Sequence, residues 1–299
     1  MGRVMTALIL AGLAAAVHGT ADDGRVVRLH LAGPHMPGGV KTEVILPPGW
    51  SEGEHLPLVL FLHDGWGSER SFRKRGLAGQ LAALMRNDLL PRAVVASPRH
   101  RGTFLMDGPR GAMESFVALD LIAALEEQFP GAGGDRSRRH VWGISMGGYG
   151  AIKLALRRPG VFGRVAALAP WVQSLTGGEP RSRGNFLHAF FLHRALDSKR
   201  GRRSMEDNDL FSLVRSADPE TMPPLLIVTG GRDRWEPGAL ALLEELRRHG
   251  VDVAAESHPD VRHRWNDWLP LSPRVFQFLL APDEELDTVL SEPSGAGRE

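Results

Sequence analysis

The chain has 299 residues, a hydrophobic fraction of 42% and a charged fraction of 24%, which is ordinary for a globular protein with one large α/β domain or two small ones. The formal net charge of +1 lacks the basic surplus of nucleic-acid-binding proteins, so no nucleic-acid partner is expected. Cysteine is absent, which excludes disulfides, a lipid-modified cysteine and a thiol nucleophile.

The first 21 residues have the pattern of a cleavable export signal. Arg3 supplies a short basic start, residues 4–17 form an uncharged and mostly apolar run, and small residues occupy positions 19–21. A membrane anchor and a buried first helix are the alternatives, although the run is short for a membrane span. Cleavage near residues 20–22 would leave no integral membrane span. An exported chain without cysteine indicates a bacterial periplasmic or extracellular protein.

Eight apolar, β-branched runs follow and predict strands. They are residues 26–32, 40–46, 56–63, 92–97, 139–145, 164–170, 224–230 and 251–257. Helical patterns lie between the later strands, at residues 113–129, 147–157, 238–248 and 273–280. This alternation predicts an α/β protein with an about eight-stranded, mostly parallel sheet and helices on both faces. Only a short linker joins the first two strands, so we expect them to form an antiparallel pair at one edge.

Two segments depart from the alternation. Residues 171–223 separate two strands by far more than one crossover helix, which predicts an insertion over the sheet edge that could act as a lid. Residues 283–299 are acidic and poor in aromatic residues, so we expect a disordered tail. The predicted organisation is a signal peptide over residues 1–21, one α/β domain over residues 22–282, and this tail.

The stretch HVWGISMGGYGA, residues 140–151, sets Ser145 between Gly143 and Gly147 at the end of a predicted strand and the start of a helix. A G-x-S-x-G motif alone is weak evidence in a chain with 35 glycines. Between a strand and a helix, however, it is typical of a strained turn that exposes a nucleophilic serine. Such a serine needs a histidine to take its proton and a carboxylate to orient that histidine.

Two later loops supply candidates for these partners. Asp233 follows the seventh strand in TGGRD, at the carboxyl edge where parallel sheets keep their sites, although it could also cap the next helix or pair with a neighbouring arginine. His263 lies in HPDVRHRWNDW before the final helix, with His258 as a local rival. Other candidate acids, less well placed relative to a strand end, are Asp218, Asp260 and Asp267. The order Ser145, Asp233, His263 is that of an α/β-hydrolase.

Backbone donors are also needed, because the tetrahedral intermediate of acyl transfer carries negative charge on the former carbonyl oxygen. The stretch FLHDGWG ends a strand in a glycine-bearing turn, so the N–H of Gly65 or Trp66 could join that of Met146. A plain turn is the alternative. His63 and Asp64 as metal ligands would lack further clustered ligands, so neither a metal nor another cofactor is expected.

With these motifs the chain resembles the putative esterase family of α/β-hydrolases, which includes esterase D, feruloyl esterases and the antigen 85 mycolyltransferases. The resemblance covers residues from about 40 to 280 and is carried by GISMGGYGA around Ser145, GGRD at Asp233 and the H-x-W-x-x-W that begins at His263. It implies an α/β-hydrolase fold and a triad of these three residues. It also implies backbone oxyanion donors at Met146 and, by analogy, Trp66.

The sequence departs from the family pattern at two places. Val261 and Arg262 stand before His263 where many members have glycine. The turn HDGWG is neither the glycine run of some members nor the DGL of the mycolyltransferases, which leaves the donor among residues 64–66 open.

The substrate is less defined than the chemistry. Three tryptophans, Trp66, Trp171 and Trp235, follow presumed strand ends and could wall an acyl or aromatic pocket, with core packing as the alternative. A surplus of Lys and Arg in residues 181–203 could attract an anionic substrate, although a solvated basic face is the more usual interpretation.

We predict a secreted serine carboxylic-ester hydrolase that forms an acyl-enzyme with a small-molecule or carbohydrate-linked ester. Acyl transfer to a sugar hydroxyl and a non-catalytic binding protein of the same fold are the alternatives, and the oligomeric state is left open.

Overall fold

The computed structural model describes residues 24–176, 192, 195, 196, 199 and 201–286. The predicted signal peptide and most of the basic segment lie outside these residues. Of the predicted tail, the first four residues are described: Asp283–Glu285 forms a 3-10 turn, and Asp283 pairs with the buried Arg164. Among the described residues, no helix is both long and apolar enough to cross a membrane.

A single large sheet carries all eight predicted strands. In chain order the strands are β1 (Arg25–Gly33), β2 (Met36–Leu46), β3 (Leu58–Leu62), β4 (Val94–Pro98), β5 (Asp107–Gly108), β6 (Gly111–Ala112), β7 (Arg139–Ile144), β8 (Arg164–Leu168), β9 (Leu225–Gly230) and β10 (Val253–His258). The sheet order is β1-β2-β4-β3-β7-β8-β9-β10, and β5 with β6 forms a separate hairpin. β2 is antiparallel to β1 and β4, and the other neighbours are parallel. The predicted mostly parallel sheet with an antiparallel edge pair is therefore confirmed.

Helices cover both faces of the sheet, as predicted. The longer helical elements are Leu77–Arg86, residues 113–128 with a π-helical middle at Phe116–Leu121, Met146–Arg157, Glu236–Arg248 and Ser272–Leu280. Shorter helices are Ser71–Lys74, Arg202–Glu206, Leu210–Ser216 and Trp265–Trp268, and 3-10 turns occur at Arg136–Arg138, Pro219–Thr221 and Leu269–Leu271. The sequence did not predict Leu77–Arg86, because Gly76 and Gly79 weaken its local helical preference.

Two apolar layers, one on each face of the sheet, explain why the sequences of the central strands are continuous hydrophobic runs. One layer packs residues 113–128, Met146–Arg157 and Glu236–Arg248 against the sheet, and the other packs Leu77–Arg86 and Ser272–Leu280. β3, β4 and β8 are buried at every residue because helices lie on both sides of them. Their parallel direction brings the carboxyl ends of β3, β7 and β9 to one edge of the sheet.

The described part of the predicted insertion is held against the helix Met146–Arg157. The Tyr149 hydroxyl donates to the carbonyl of Asn208 at 2.7 Å, and the buried Lys153 ammonium donates to the side-chain oxygen of the same residue. The Leu175 N–H donates to the Asp209 carboxylate at 3.2 Å. Leu175 and residues 208–209 of the insertion are thus fixed in the domain, while a lid function of the insertion stays a prediction.

Candidate active site

Ser145 occupies a strained turn between β7 and the helix Met146–Arg157. Its φ of 57° lies in a region that residues with a side chain rarely adopt. A Cβ at Gly143 would collide with the backbone of Gly147, and a Cβ at Gly147 would collide with the Leu62 carbonyl at the end of β3. The flanking glycines are therefore required by the close approach of strand and helix. The turn presents the serine hydroxyl at the carboxyl edge of the sheet.

The three residues predicted from widely separated parts of the chain form one hydrogen-bonded series. Ser145 Oγ lies 2.8 Å from His263 Nε2. His263 Nδ1 lies 2.6 Å from Asp233 Oδ2, and the other carboxylate oxygen accepts the Trp235 N–H at 2.9 Å. Ser145 and Asp233 are buried, whereas His263 is partly exposed. If the Nδ1–H donates to the carboxylate, Nε2 is left free to accept the serine proton.

Backbone contacts between two loops hold the acid and the histidine together. The Arg232 N–H donates to the Val261 carbonyl at 3.0 Å, and the Gly231 N–H donates to the His258 carbonyl at 2.9 Å. A Cβ at Gly230 would clash with Val261, so the glycines of TGGRD let the histidine loop approach. Val261, which departs from the family pattern, thus contributes to this loop contact through its backbone carbonyl.

The imidazole of His263 packs against an aromatic pair. Its ring meets Trp268 edge-to-face with centroids 4.5 Å apart, and Trp268 in turn packs on Trp265 at 5.5 Å. The Arg75 guanidinium lies over the Trp265 ring at 5.1 Å. These contacts restrict the imidazole to the orientation that points at the serine.

The turn after β3 offers donors beside the serine. As the first helical residue, Met146 has an N–H without an intrahelical acceptor. The N–H of Trp66 interacts with the Asp64 carboxylate, whose pKa is raised by burial and lowered in part by this contact. The Gly65 N–H has no acceptor in the described part of the chain, and the space above its Cα is open. Gly65 is therefore better placed than Trp66 to donate to an oxyanion.

A buried pair of histidines supports this turn and was not predicted from the sequence. His63 and His100 stack with centroids 3.9 Å apart. The Nδ1 of His63 lies 2.7 Å from the Asp64 carbonyl, and its Nε2 accepts the His100 N–H at 3.2 Å. Burial lowers the pKa of His63 to about 4 and that of His100 well below its ordinary value, so both rings are neutral at pH 7. The available signal was SPRH, polar residues placed where β4 ends.

The predicted pocket walls are placed differently. Trp171 and Trp235 are 1% and 2% exposed, pack on each other at 5.9 Å and belong to the core. We therefore correct their assignment from pocket wall to core. Trp66, in contrast, is 58% exposed, more than any other tryptophan in the described part of the chain, so a substrate can reach its ring. Within the described residues, no group of three or more His, Asp or Glu side chains is arranged to hold a metal ion.

The chain is similar to known esterases in both sequence and fold. A sequence model described as Putative esterase matches residues 33–270. An acetyl esterase of Caldicellulosiruptor saccharolyticus is 24% identical over 233 residues, which is 76% of this chain and 85% of that protein. A ferulic acid esterase structure has a TM-score of 0.71 at 19% identity, covering 89% of this chain and 98% of its own. FphF, a fluorophosphonate-binding serine hydrolase of Staphylococcus aureus, has a TM-score of 0.70 at 20% identity, covering 86% and 98%. The predicted α/β-hydrolase fold is confirmed.

Proposed function

The chain belongs to the Putative esterase family and is a serine ester hydrolase, and from this premise we propose that Ser145, His263 and Asp233 are its catalytic triad. The observation that carries the proposal is the pair of distances that joins them, 2.8 Å from serine to histidine and 2.6 Å from histidine to aspartate. The strained φ of Ser145 supports the same assignment, because such strain is concentrated at functional turns.

In the proposed reaction, Ser145 Oγ attacks the ester carbonyl carbon and its proton passes to His263 Nε2. The tetrahedral intermediate collapses as the C–O bond to the alcohol breaks, and His263 gives its proton to the leaving oxygen. Water then attacks the acyl-enzyme with His263 again as the base, which releases the acid and restores the serine. Asp233 stabilises the imidazolium in both steps, while the carboxylate itself stays ionised.

The proposed oxyanion hole consists of the backbone N–H groups of Met146 and Gly65. The matched substitutions Gly65→Pro and Gly65→Ala test the second donor, because both add a Cβ that meets no neighbour and only proline removes the N–H. We expect kcat for Gly65→Pro to fall about 100- to 1,000-fold below that of Gly65→Ala. Equal kcat values for the two variants would return the assignment to Trp66.

The triad is tested by labelling and by turnover. The wild type should bind a fluorophosphonate probe and hydrolyse p-nitrophenyl esters, and both activities should disappear in Ser145→Ala. Ser216→Ala, at an exposed serine on the helix Leu210–Ser216, is the matched control and should retain both. Labelling that persists in Ser145→Ala would place the nucleophile elsewhere. If the wild type is labelled but releases little p-nitrophenol until a sugar alcohol is added as acyl acceptor, the activity is acyl transfer.

We also propose that residues 1–21 direct export to the periplasm or the extracellular space. The support is the basic start at Arg3 followed by the uncharged run over residues 4–17. Full-length protein expressed in a Gram-negative bacterium should appear in the periplasm with its amino terminus near residues 20–22. Leu8→Arg, which places a charge in the run, should leave the protein uncleaved in the cytoplasm. Uncleaved wild type would contradict the export assignment.

A further inference from the structure

The loop after β4 exposes two arginines whose charges act on His63, the residue that follows β3. Arg99 and Arg101 are exposed, whereas His100 between them is completely buried. The loop thus turns one residue into the core and its two charged neighbours outward. The Arg101 guanidinium lies 6.0 Å from the ring centroid of the exposed Trp66, which directly follows Gly65.

Contacts within the domain fix the position of this loop. Its buried residue, His100, stacks on His63 and donates its backbone N–H to Nε2 of that ring. The Thr103 hydroxyl donates to the His100 carbonyl at 2.7 Å. The arginines therefore project from a backbone that is held in place, unlike those of a freely moving surface loop.

The end of the loop is held in a strained conformation. Phe104 and Leu105 have φ values of 50° and 49°, although both are bulky and buried. The Lys153 ammonium donates to the Leu105 carbonyl at 2.7 Å, and Phe104 packs on Trp171 with centroids 5.4 Å apart. Two consecutive residues in this region are costly and persist only where surrounding contacts enforce them. The strain therefore supports a role for the loop beyond connection.

The charges of Arg99 and Arg101 are not neutralised by neighbouring side chains. No carboxylate within the described chain lies within ion-pair distance of either guanidinium, whereas Arg139 forms a bidentate pair with Glu126. Two further exposed arginines, Arg262 and Arg264, flank the catalytic histidine in sequence. Arg99 and Arg101 are therefore two exposed positive charges that an anionic group of a substrate can meet.

We propose that Arg99 and Arg101 bind a carboxylate carried by the ester substrate, on its acyl or its alcohol part. The inference rests on the proposed function and deepens it by naming the substrate class. A guanidinium presents N–H donors in a planar fork that matches a carboxylate, and its charge strengthens those hydrogen bonds. Trp66, which directly follows Gly65 and lies 6.0 Å from the Arg101 guanidinium, offers an exposed apolar surface to the part of the substrate between the carboxylate and the ester.

Matched pairs of esters test this inference. Mono-p-nitrophenyl glutarate against p-nitrophenyl butyrate places the charge on the acyl part, and p-acetoxybenzoate against p-acetoxybenzamide places it on the alcohol part. The measured quantity is the ratio of kcat/KM for the charged ester to that for its neutral partner. In the double variant Arg99→Gln, Arg101→Gln this ratio should fall about tenfold for at least one pair, mainly through KM. The pair that responds identifies the side that carries the carboxylate.

Arg247→Gln is the matched control, because it removes an exposed arginine near the far end of the helix Glu236–Arg248. Its two ratios should equal those of the wild type. Raising the ionic strength to about 0.5 M should lower the wild-type ratio that responds, and should change that ratio less in the double variant. The inference is overturned if both ratios are the same in the wild type and the double variant.

The two proposals fail in different ways. If the wild type hydrolyses the neutral esters but the double variant leaves both ratios unchanged, the carboxylate site is wrong and the esterase assignment stands. If the wild type hydrolyses none of the four esters, the proposed function fails, and the inference that depends on it fails too.

Discussion

Replacing His63 should reduce the acid sensitivity of the folded state. The ring is completely buried, and desolvation lowers its pKa from 6.5 to about 4, helped by the positive charges of Arg99 and Arg101 and opposed by the hydrogen bond to the Asp64 carbonyl. In the unfolded chain the ring takes up a proton near pH 6.5, whereas in the folded protein it does so only near pH 4. Between these values the unfolded state binds more protons, so the free energy of unfolding falls as the pH falls.

The size of the effect follows from the shift. Complete protonation of a group with this difference in pKa costs about 3 kcal/mol, since each pKa unit corresponds to about 1.4 kcal/mol. Lowering the pH from 7 to 5 covers most of that range and should cost about 2 kcal/mol through His63 alone. His140, whose pKa burial also lowers to about 4, adds a similar loss, and His100 contributes in the same direction.

The assay is urea unfolding followed by tryptophan fluorescence at pH 7 and at pH 5. His63→Asn removes the titrating ring, so its loss of stability between the two pH values should be about 2 kcal/mol smaller than in the wild type. The comparison subtracts any constant cost of the substitution. His55→Asn, the same change at an exposed ring, is the control. If wild type and His63→Asn lose the same free energy, the neutral buried histidine is not the cause of acid sensitivity.

Four further substitutions have defined outcomes. Asp233→Asn should lower kcat for p-nitrophenyl acetate about 1,000- to 10,000-fold with little change in KM, because the histidine loses its oriented tautomer. A rise in KM with an unchanged kcat would contradict this. Gly147→Ala should cost about 3 kcal/mol or more in urea unfolding because its Cβ meets the carbonyl at the end of β3, whereas Gly79→Ala, in open space within a helix, should stabilise by about 0.5–1 kcal/mol. Lys153→Met should cost about 2 kcal/mol, because the buried Leu105 carbonyl and Asn208 side chain lose their donor while Glu114 keeps Arg157 at 2.8 Å; an unchanged urea midpoint would refute that reasoning.

Much of the fold was predictable because the sheet is parallel and covered on both faces. Strands such as β3 and β8 are apolar at every position, and turn residues bound them, so their existence could be predicted from local composition. The helix Leu77–Arg86 could not, because its stability comes from packing on the sheet and on the helix Ser272–Leu280 rather than from its own glycine-containing sequence.

The residues of the candidate site also differ in how far the local sequence could predict them. The contact of Ser145, His263 and Asp233 was predictable because the proposed chemistry demands those residue types and the fold demands that they follow particular strands. The stack of His63 on His100 joins residues 37 positions apart, and nothing near either one signals the other. A tryptophan after a strand end could equally be predicted as a core residue or as a pocket wall. Only the residues that pack around it in the folded protein decide between these two positions. A sequence therefore predicts the residues that react more readily than the residues that hold them in place, because reaction restricts residue type whereas support requires only a matching shape and a hydrogen-bond partner.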